Sequence, residues 1–178
     1  MIIGIAGKKG SGKDTAGQYL ISKHEFRRYA FGDPVKEVCR LLFGFTDEQL
    51  YGKQKEDMTE LGIRPRDAFQ KIGTEFGRQQ LHNLLPDLRV KEGELWIEIF
   101  RRDCPNDKLI VVTDVRFQNE ADAIKEKGGI ILYVVREDCG RDGHESERIE
   151  VEYDHLLENN GTLEEFYDKI DRIFNNYD

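Results

Sequence analysis

The sequence predicts an α/β fold, a three-layer sandwich around a mainly parallel central sheet. Three observations carry this. Short apolar runs of the kind found in fully buried strands recur at 1–6 (MIIGIA), 108–115 (KLIVVTDV) and 130–136 (IILYVVR). Stretches with helical spacing of apolar residues separate them. Glycine and proline signals stand at the joints, and no internal repeat, low-complexity tract or linker interrupts the 178 residues.

The elements follow in order. The strand at 1–6 ends in glycine, and a helix over 14–24 shows helical spacing through Ala16, Tyr19, Leu20 and Lys23. A second strand at 26–32 closes on Gly32-Asp33-Pro34. Asp33 then reads as the cap of a helix that has Pro34 in its first turn and continues through 35–44. A longer helix over 66–85 repeats Phe69, Ile72, Phe76 and Leu81 on one face. The run 108–115 is the clearest buried strand, followed by a helix over 118–129 with a Gly-Gly stop. After the strand at 130–136 comes a polar, glycine-containing stretch, 137–155, with no apolar period until its end. The last segment, 155–174, reads as a short strand, an Asn-Asn-Gly turn and a helix capped by Thr162. Glu165, three positions on, completes a capping box.

Composition narrows the function classes. Hydrophobic residues make up 38% of the chain, enough for a core, so disorder is disfavoured. The net charge is −8, and an acidic chain repels a nucleic-acid backbone, so no nucleic-acid partner is expected. Small phosphorylated ligands stay open where positive groups cluster. The cysteines, Cys39, Cys104 and Cys139, form no C-x-x-C pair and no His stands at zinc-like spacing, which predicts free thiols in a reducing compartment. No apolar run approaches ~18 residues and the N-terminus lacks a basic leader, so neither a membrane span nor a signal peptide is expected. The expectation is a soluble cytoplasmic protein.

The chemistry concentrates in GIAGKKGSGKDT, residues 4–15. Gly7, Gly12 and Lys13 fit the phosphate-loop pattern G-x-x-x-x-G-K-[ST], between a predicted strand and a predicted helix. In that setting the backbone N–H groups of residues 8–14 turn around an anion. The helix N-terminus adds partial positive charge, and Lys13 reaches the outer phosphates. Lys8 and Lys9 raise the local potential. A glycine-rich surface turn is the plain alternative, and its strand-to-helix context weighs against it.

Asp14 stands where the pattern has a hydroxyl that binds Mg²⁺. Three roles suit it: metal binding through its carboxylate, orientation of the attacking oxygen, or a first-turn acid favoured by the helix dipole. Thr15 offers the hydroxyl one residue late, ~100° further round the helix. Asp114, at the end of LIVVTD, reads as a Walker-B-type carboxylate for the same metal; its plain alternative is a helix cap.

Together, TDVRFQNEADAI (113–124), GKKGSGKDT, AFGDPVK, RPRDAFQKIGTEFGR and HESE resemble the bacteriophage-type deoxynucleoside monophosphate kinases. The resemblance runs from residue 1 to about 161, and D-V-R-F-x-N-E and the GK-D-T loop are its specific elements. Aspartate after the loop lysine is normal in that family. Membership implies ATP-dependent transfer of a γ-phosphoryl group to a deoxynucleoside 5′-monophosphate, with Mg²⁺ accompanying ATP. It also implies a P-loop kinase sandwich forming one domain over 1–178, with a helical substrate-binding insertion at about 45–105 and a lid at about 137–150.

By motif, Gly10, Ser11, Gly12, Lys13, Asp14 and Thr15 go to the ATP site, with Asp14, Thr15 and Asp114 at the metal. Arg66, Gln70 and Gly73 match the monophosphate-binding helix, and Asp114, Arg116 and Glu120 match the segment that faces the acceptor. Arginines suit a nearly dianionic phosphate, and Arg116 follows a buried strand at the edge where such sheets bind ligands. Glu120 would hold Arg116 or accept from the sugar or base. Asp33 belongs near the acceptor in related kinases, or is only the helix cap. Arg136, Arg141 and Arg148 lie in the lid, and Arg141, flanked by Gly140 and Gly143, is the preferred transition-state arginine. His144, Ser146 and Glu147 match the family's H-x-S-E element, to which spacing gives no role.

One departure concerns the base. The family often carries a tryptophan where this chain has Arg89, and the only tryptophan is Trp96. If the missing aromatic stacks on the acceptor base, its role passes to Trp96 or to a Phe or Tyr. The rival readings are a phosphomevalonate-kinase-like enzyme, with a similar loop, and a P-loop regulatory module with no second substrate. A homodimer is an expectation of the resemblance, since members are often dimers; no heptad or apolar stripe points to one.

Overall fold

The computed structural model describes residues 1–137, 139 and 150–177. They form two compact units: Met1–Ala30 with the chain from Cys104 onward, and Phe31–Asp103.

The first unit holds the sheet. Its strands are β1 (Ile2–Gly7), β2 (Arg27–Tyr29), β3 (Ile110–Val115), β4 (Ile130–Val135) and β5 (His155–Glu158). Among the described residues they form one five-stranded sheet in the order β2-β3-β1-β4-β5, and every pairing is parallel. Every residue of β1 is buried, as a strand covered on both faces must be. The helices of this unit are α1 (Lys13–His24), α7 (Gln118–Glu126) and α8 (Leu163–Phe174). Leu20 of α1 and Phe166, Ile170 and Phe174 of α8 share a core with Ile3, Ile5, Leu132 and Leu157 of the sheet. Beside that core His24 Nε2 lies 2.7 Å from Asp171, and the Tyr19 hydroxyl donates to the same carboxylate at 2.9 Å. These bonds tie α1 to α8.

Two connections matter for function. From β1, α1 leads past β3 to β2 at the edge, whereas α7 carries the chain from β3 past β1 to β4. The connections that leave the neighbouring strands β1 and β3 therefore run in opposite directions, and the crevice at their carboxyl ends is a topological switch point.

The second unit contains α2 (Gly32–Phe43), α3 (Asp47–Leu50), α4 (Pro65–Gln70), a π-helical stretch Lys71–Gln80, α5 (Leu81–Leu84) and α6 (Leu95–Asp103). Its core gathers Val35, Cys39, Phe45, Leu50, Ala68 and Trp96. The helix expected over 66–85 is present but wound in three ways, α, then π, then α. Gly77 gives part of the reason. A Cβ there would sit 2.6 Å from the Trp96 ring, so the backbone of the wide turn lies flat on the indole.

Some local expectations change. The strand expected at 26–32 pairs only over Arg27–Tyr29. The helix after it starts two residues early, with Phe31 at the N-cap and no side-chain cap bond. Asp33 is therefore not the cap but a first-turn residue, 3.3 Å from Lys36 Nζ, where the dipole favours a carboxylate. The Thr162 box is present: its side chain accepts from Glu165 N–H at 3.2 Å and Glu165 accepts from Thr162 N–H at 2.8 Å. A second box, Thr46 with Gln49, opens α3, and α6 had no counterpart among the expected elements.

Candidate active site

β1 ends in Gly7 and α1 begins at Lys13, so residues 8–12 make the turn over the carboxyl end of the sheet. Gly12, at the N-cap of α1, has φ 108°, a conformation L side chains rarely adopt; a Cβ there would also run into the Asn159 side chain. At Gly7, with φ 142°, a Cβ would run into the Val134 carbonyl and stand 2.9 Å from Ser11 Oγ. The loop can follow this path only with glycine at both places.

Ser11 is 1% exposed, and its Oγ has no hydrogen-bond partner among the described residues. An unsatisfied buried hydroxyl costs about 1–3 kcal/mol. A phosphate oxygen seated in the loop supplies the missing partner, so the residues present fit a nucleotide phosphate. Lys13 Nζ donates to the Lys8 carbonyl at 2.7 Å, which folds the ammonium back along the loop. Asp14 is exposed in the first turn of α1, and Thr15 is half-buried behind it.

Across the loop from β1, the Asn159 side-chain amide donates to the Ser11 carbonyl at 2.8 Å, and its own backbone N–H donates to Val135 O at 2.9 Å. The turn after β5 thus grips the loop after β1. The Asn-Asn-Gly signal gave the turn but not this bond, which spans 148 residues of sequence.

On the other side of β1 lies β3, in parallel register with Ala6 opposite Val115. Asp114 is half-buried one residue before the end of β3, and Arg116 is exposed just beyond it. Glu120 is 3% exposed. Its Oε2 accepts from the backbone N–H groups of Arg116 at 2.8 Å and Phe117 at 3.2 Å. Its hold on Arg116 therefore runs through the main chain of the turn that presents the arginine. A carboxylate three residues into α7 also suits that helix's N-terminus.

In the second unit Arg66 follows Pro65 at the start of α4 and bonds Glu56 through Nε. Gln70 is exposed one turn on. Gly73 lies in the π-helical stretch, and its carbonyl accepts from Trp96 Nε1 at 2.8 Å. Trp96 is only 4% exposed, so it is a core residue of this unit, with its single donor engaged. That corrects the suggestion that it replaces a base-stacking aromatic.

Arg141, Arg148, His144, Ser146 and Glu147 lie outside the described residues, as does most of the expected lid; Arg136 is exposed directly after β4. All three cysteines are free. Among the described residues no three His, Cys, Asp or Glu side chains cluster to cage a metal ion. A site for Mg²⁺ here would be of the open kind, in which a carboxylate or two and substrate phosphates supply the ligands.

A parallel sheet with a glycine loop at its switch point, entering a helix at a lysine, defines the class: an α/β protein with the P-loop kinase fold. Shikimate kinase from Aquifex aeolicus shares that fold, with a TM-score of 0.51 at 14% identity over 99% of this chain and 98% of its own. The chain belongs to the deoxynucleotide monophosphate kinase family, whose model matches residues 1–65 and 78–170. A protein of Acanthamoeba polyphaga mimivirus, assigned as a deoxynucleotide monophosphate kinase, is 39% identical over 96% of this chain and 94% of its own. The deoxynucleoside-5′-monophosphate kinase of Escherichia phage T5 is 25% identical over 71% of this chain and 72% of its own. The gap between the two matched segments, 66–77, includes Arg66, Gln70 and Gly73.

Proposed function

We propose that this protein transfers the γ-phosphoryl group of ATP to the 5′-phosphate of a deoxynucleoside monophosphate, giving a diphosphate and ADP. The observation that carries this is the buried, unpartnered Ser11 Oγ inside a glycine loop at the switch point, in a chain of a monophosphate kinase family. The family match also favours the deoxynucleotide acceptor over phosphomevalonate and over an acceptor-free switch.

Phosphoryl transfer needs positioning and charge stabilisation more than covalent catalysis. The loop N–H groups, with Gly10, Ser11 and Gly12, and the N-terminus of α1 bind the β- and γ-phosphates, and Lys13 neutralises their outer oxygens. Asp14, Thr15 and Asp114 would hold Mg²⁺, which would supply positive charge to offset the charge that develops on the transferring phosphoryl group. Arg116 binds the acceptor phosphate from the turn that Glu120 fixes, and Asp114 precedes it by two residues. Arg66, Gln70, Gly73 and Asp33 are the acceptor residues proposed in the unit Phe31–Asp103, which serves as the substrate-binding region. Among the described residues no helix is long and apolar enough to cross a membrane. A cytoplasmic location is part of the same proposal.

The test is ADP release with ATP and Mg²⁺ against dAMP, dGMP, dCMP, dTMP, their ribose counterparts, phosphomevalonate and a blank. Turnover is expected only with an acceptor, and with at least one deoxynucleotide. Hydrolysis that ignores the acceptor, or activity on phosphomevalonate alone, overturns the proposal. A second expectation concerns Arg116→Ala. Loss of a charge-assisted contact raises the monophosphate Kd by about 10- to 100-fold, for about 1.5–3 kcal/mol, and leaves the ATP Kd near its starting value. Titrations in which ATP affinity falls instead would put Arg116 in the other site.

A further inference from the structure

We infer that Cys139 is a modification site: its thiol forms a mixed disulfide with a low-molecular-weight disulfide in the cavity beside the phosphate loop, and ATP and the adduct exclude each other. The inference rests on the ATP reading of the loop and adds a covalent ligand to it.

The three thiols stand in different surroundings. Cys39 is 0% and Cys104 4% exposed. Burial pushes the Cys39 thiol up to about 11; it also pushes Cys104 up, with Lys127 opposing. The thiolate is the attacking form, so both are closed to reagents and poor in the reactive species. Cys139 is half-exposed. It lines a cavity of about 210 Å³ with Lys8, Ser11, Tyr133, Arg136 and Glu137. Its Sγ lies 3.5 Å from where a Cβ on Gly10 would stand, against the crest of the phosphate loop.

Two further features point to a ligand in that cavity. Ser11, whose buried Oγ has no hydrogen-bond partner among the described residues, is one of the residues that line it. Among the described residues that line it, Lys8 and Arg136 bring positive charge against one carboxylate, that of Glu137, which suits an anionic reagent. The turn is also held in place. Glu137 N–H donates to the Asn160 side chain at 3.0 Å, and Cys139 N–H donates to the Arg136 carbonyl at 3.3 Å.

The reaction is a thiol–disulfide exchange. Deprotonated Cys139 attacks one sulfur of the reagent, a new S–S bond forms, and the reagent's own S–S bond breaks. The departing thiolate takes up the proton that Cys139 lost. Cys139 is oxidised and the departing sulfur reduced, so no other reactant is needed. The adduct then fills space adjoining the loop, and nucleotide binding is lost until a thiol reverses the exchange.

The test treats the full, undenatured chain with dithiobis-nitrobenzoate, an anionic aromatic disulfide, follows the released chromophore, and maps the adduct by peptide mass. Cys139 is expected to react first, and the fast phase to vanish in Cys139→Ser. ATP at about 100 times its Kd leaves about 1% of sites open and slows labelling about 100-fold. The adduct is expected to lose ATP binding by calorimetry and to regain it with dithiothreitol. First reaction at Cys39 or Cys104, an unchanged rate under ATP that demonstrably binds, or an adduct that binds ATP as before would each overturn the inference. Failure of ATP to bind the untreated chain would instead overturn the nucleotide reading, and the inference with it.

Discussion

Lys13→Met is expected to lower kcat by about 10²–10³-fold, or about 2.7–4 kcal/mol of transition-state stabilisation, the scale seen when one aimed group is lost from a preorganised site. The ammonium lies at the first position of α1, folded back onto the Lys8 carbonyl at 2.7 Å. Methionine keeps the apolar stem and removes the charge. The side chain is outside the apolar core, so urea unfolding should move by no more than about 0.5 kcal/mol, as for surface substitutions in general. The result has two readouts, initial rates under saturating ATP and acceptor, and the denaturation midpoint. A variant with full activity and unchanged stability would remove the loop from the catalytic account. A variant that unfolds would show that the Lys13 bond to the Lys8 carbonyl holds the loop together and would leave the catalytic role without support.

Trp96→Ala is expected to destabilise the protein by about 3–5 kcal/mol, the usual cost of truncating a buried Trp or Phe. Three features make the site intolerant. The ring is 4% exposed within a core that includes Val35, Cys39, Phe45, Leu50 and Ala68. Its Nε1–H donates to Gly73 O at 2.8 Å. Gly77 packs so closely on the indole that no Cβ fits between, so little can move in to fill the space. Trp96→Phe restores most of the ring and leaves the Gly73 carbonyl without its donor, for a loss of about 1 kcal/mol or somewhat more. Urea denaturation followed by circular dichroism measures both. A base-stacking role predicts a different pattern, an acceptor KM that rises in Trp96→Ala while stability hardly changes, and that pattern would reverse the correction made above. Being the only tryptophan, Trp96 also lets fluorescence of the unmodified protein report on this unit.

The two predictions differ in how far the sequence reached. The loop was legible because its signal is local. A buried-type strand, a glycine that must take positive φ, and a lysine at the first turn of a helix all fall within residues 2–13. Capping boxes are local too, and Thr162 with Glu165 forms the pair its spacing requires. Asp33 shows where locality misleads. Asp before Pro is a good cap signal, yet α2 begins at Gly32, because Pro is tolerated anywhere in a first turn where its missing N–H has no partner to lose.

By itself, then, the sequence determined the α/β class, the strand order along the chain, the phosphate loop and the family, since each depends on periodicity, backbone freedom or a motif inside a dozen residues. The tertiary structure decided which way the side chains work. It turned Trp96 into the unit Phe31–Asp103, set Glu120 against the main chain of the Arg116 turn, and hung Asn159 on the loop from 148 residues away. It also brought Cys139 beside Gly10. Contacts of this kind follow from sheet register and from which volumes are left to fill, and those are properties of the packed chain rather than of any stretch of it.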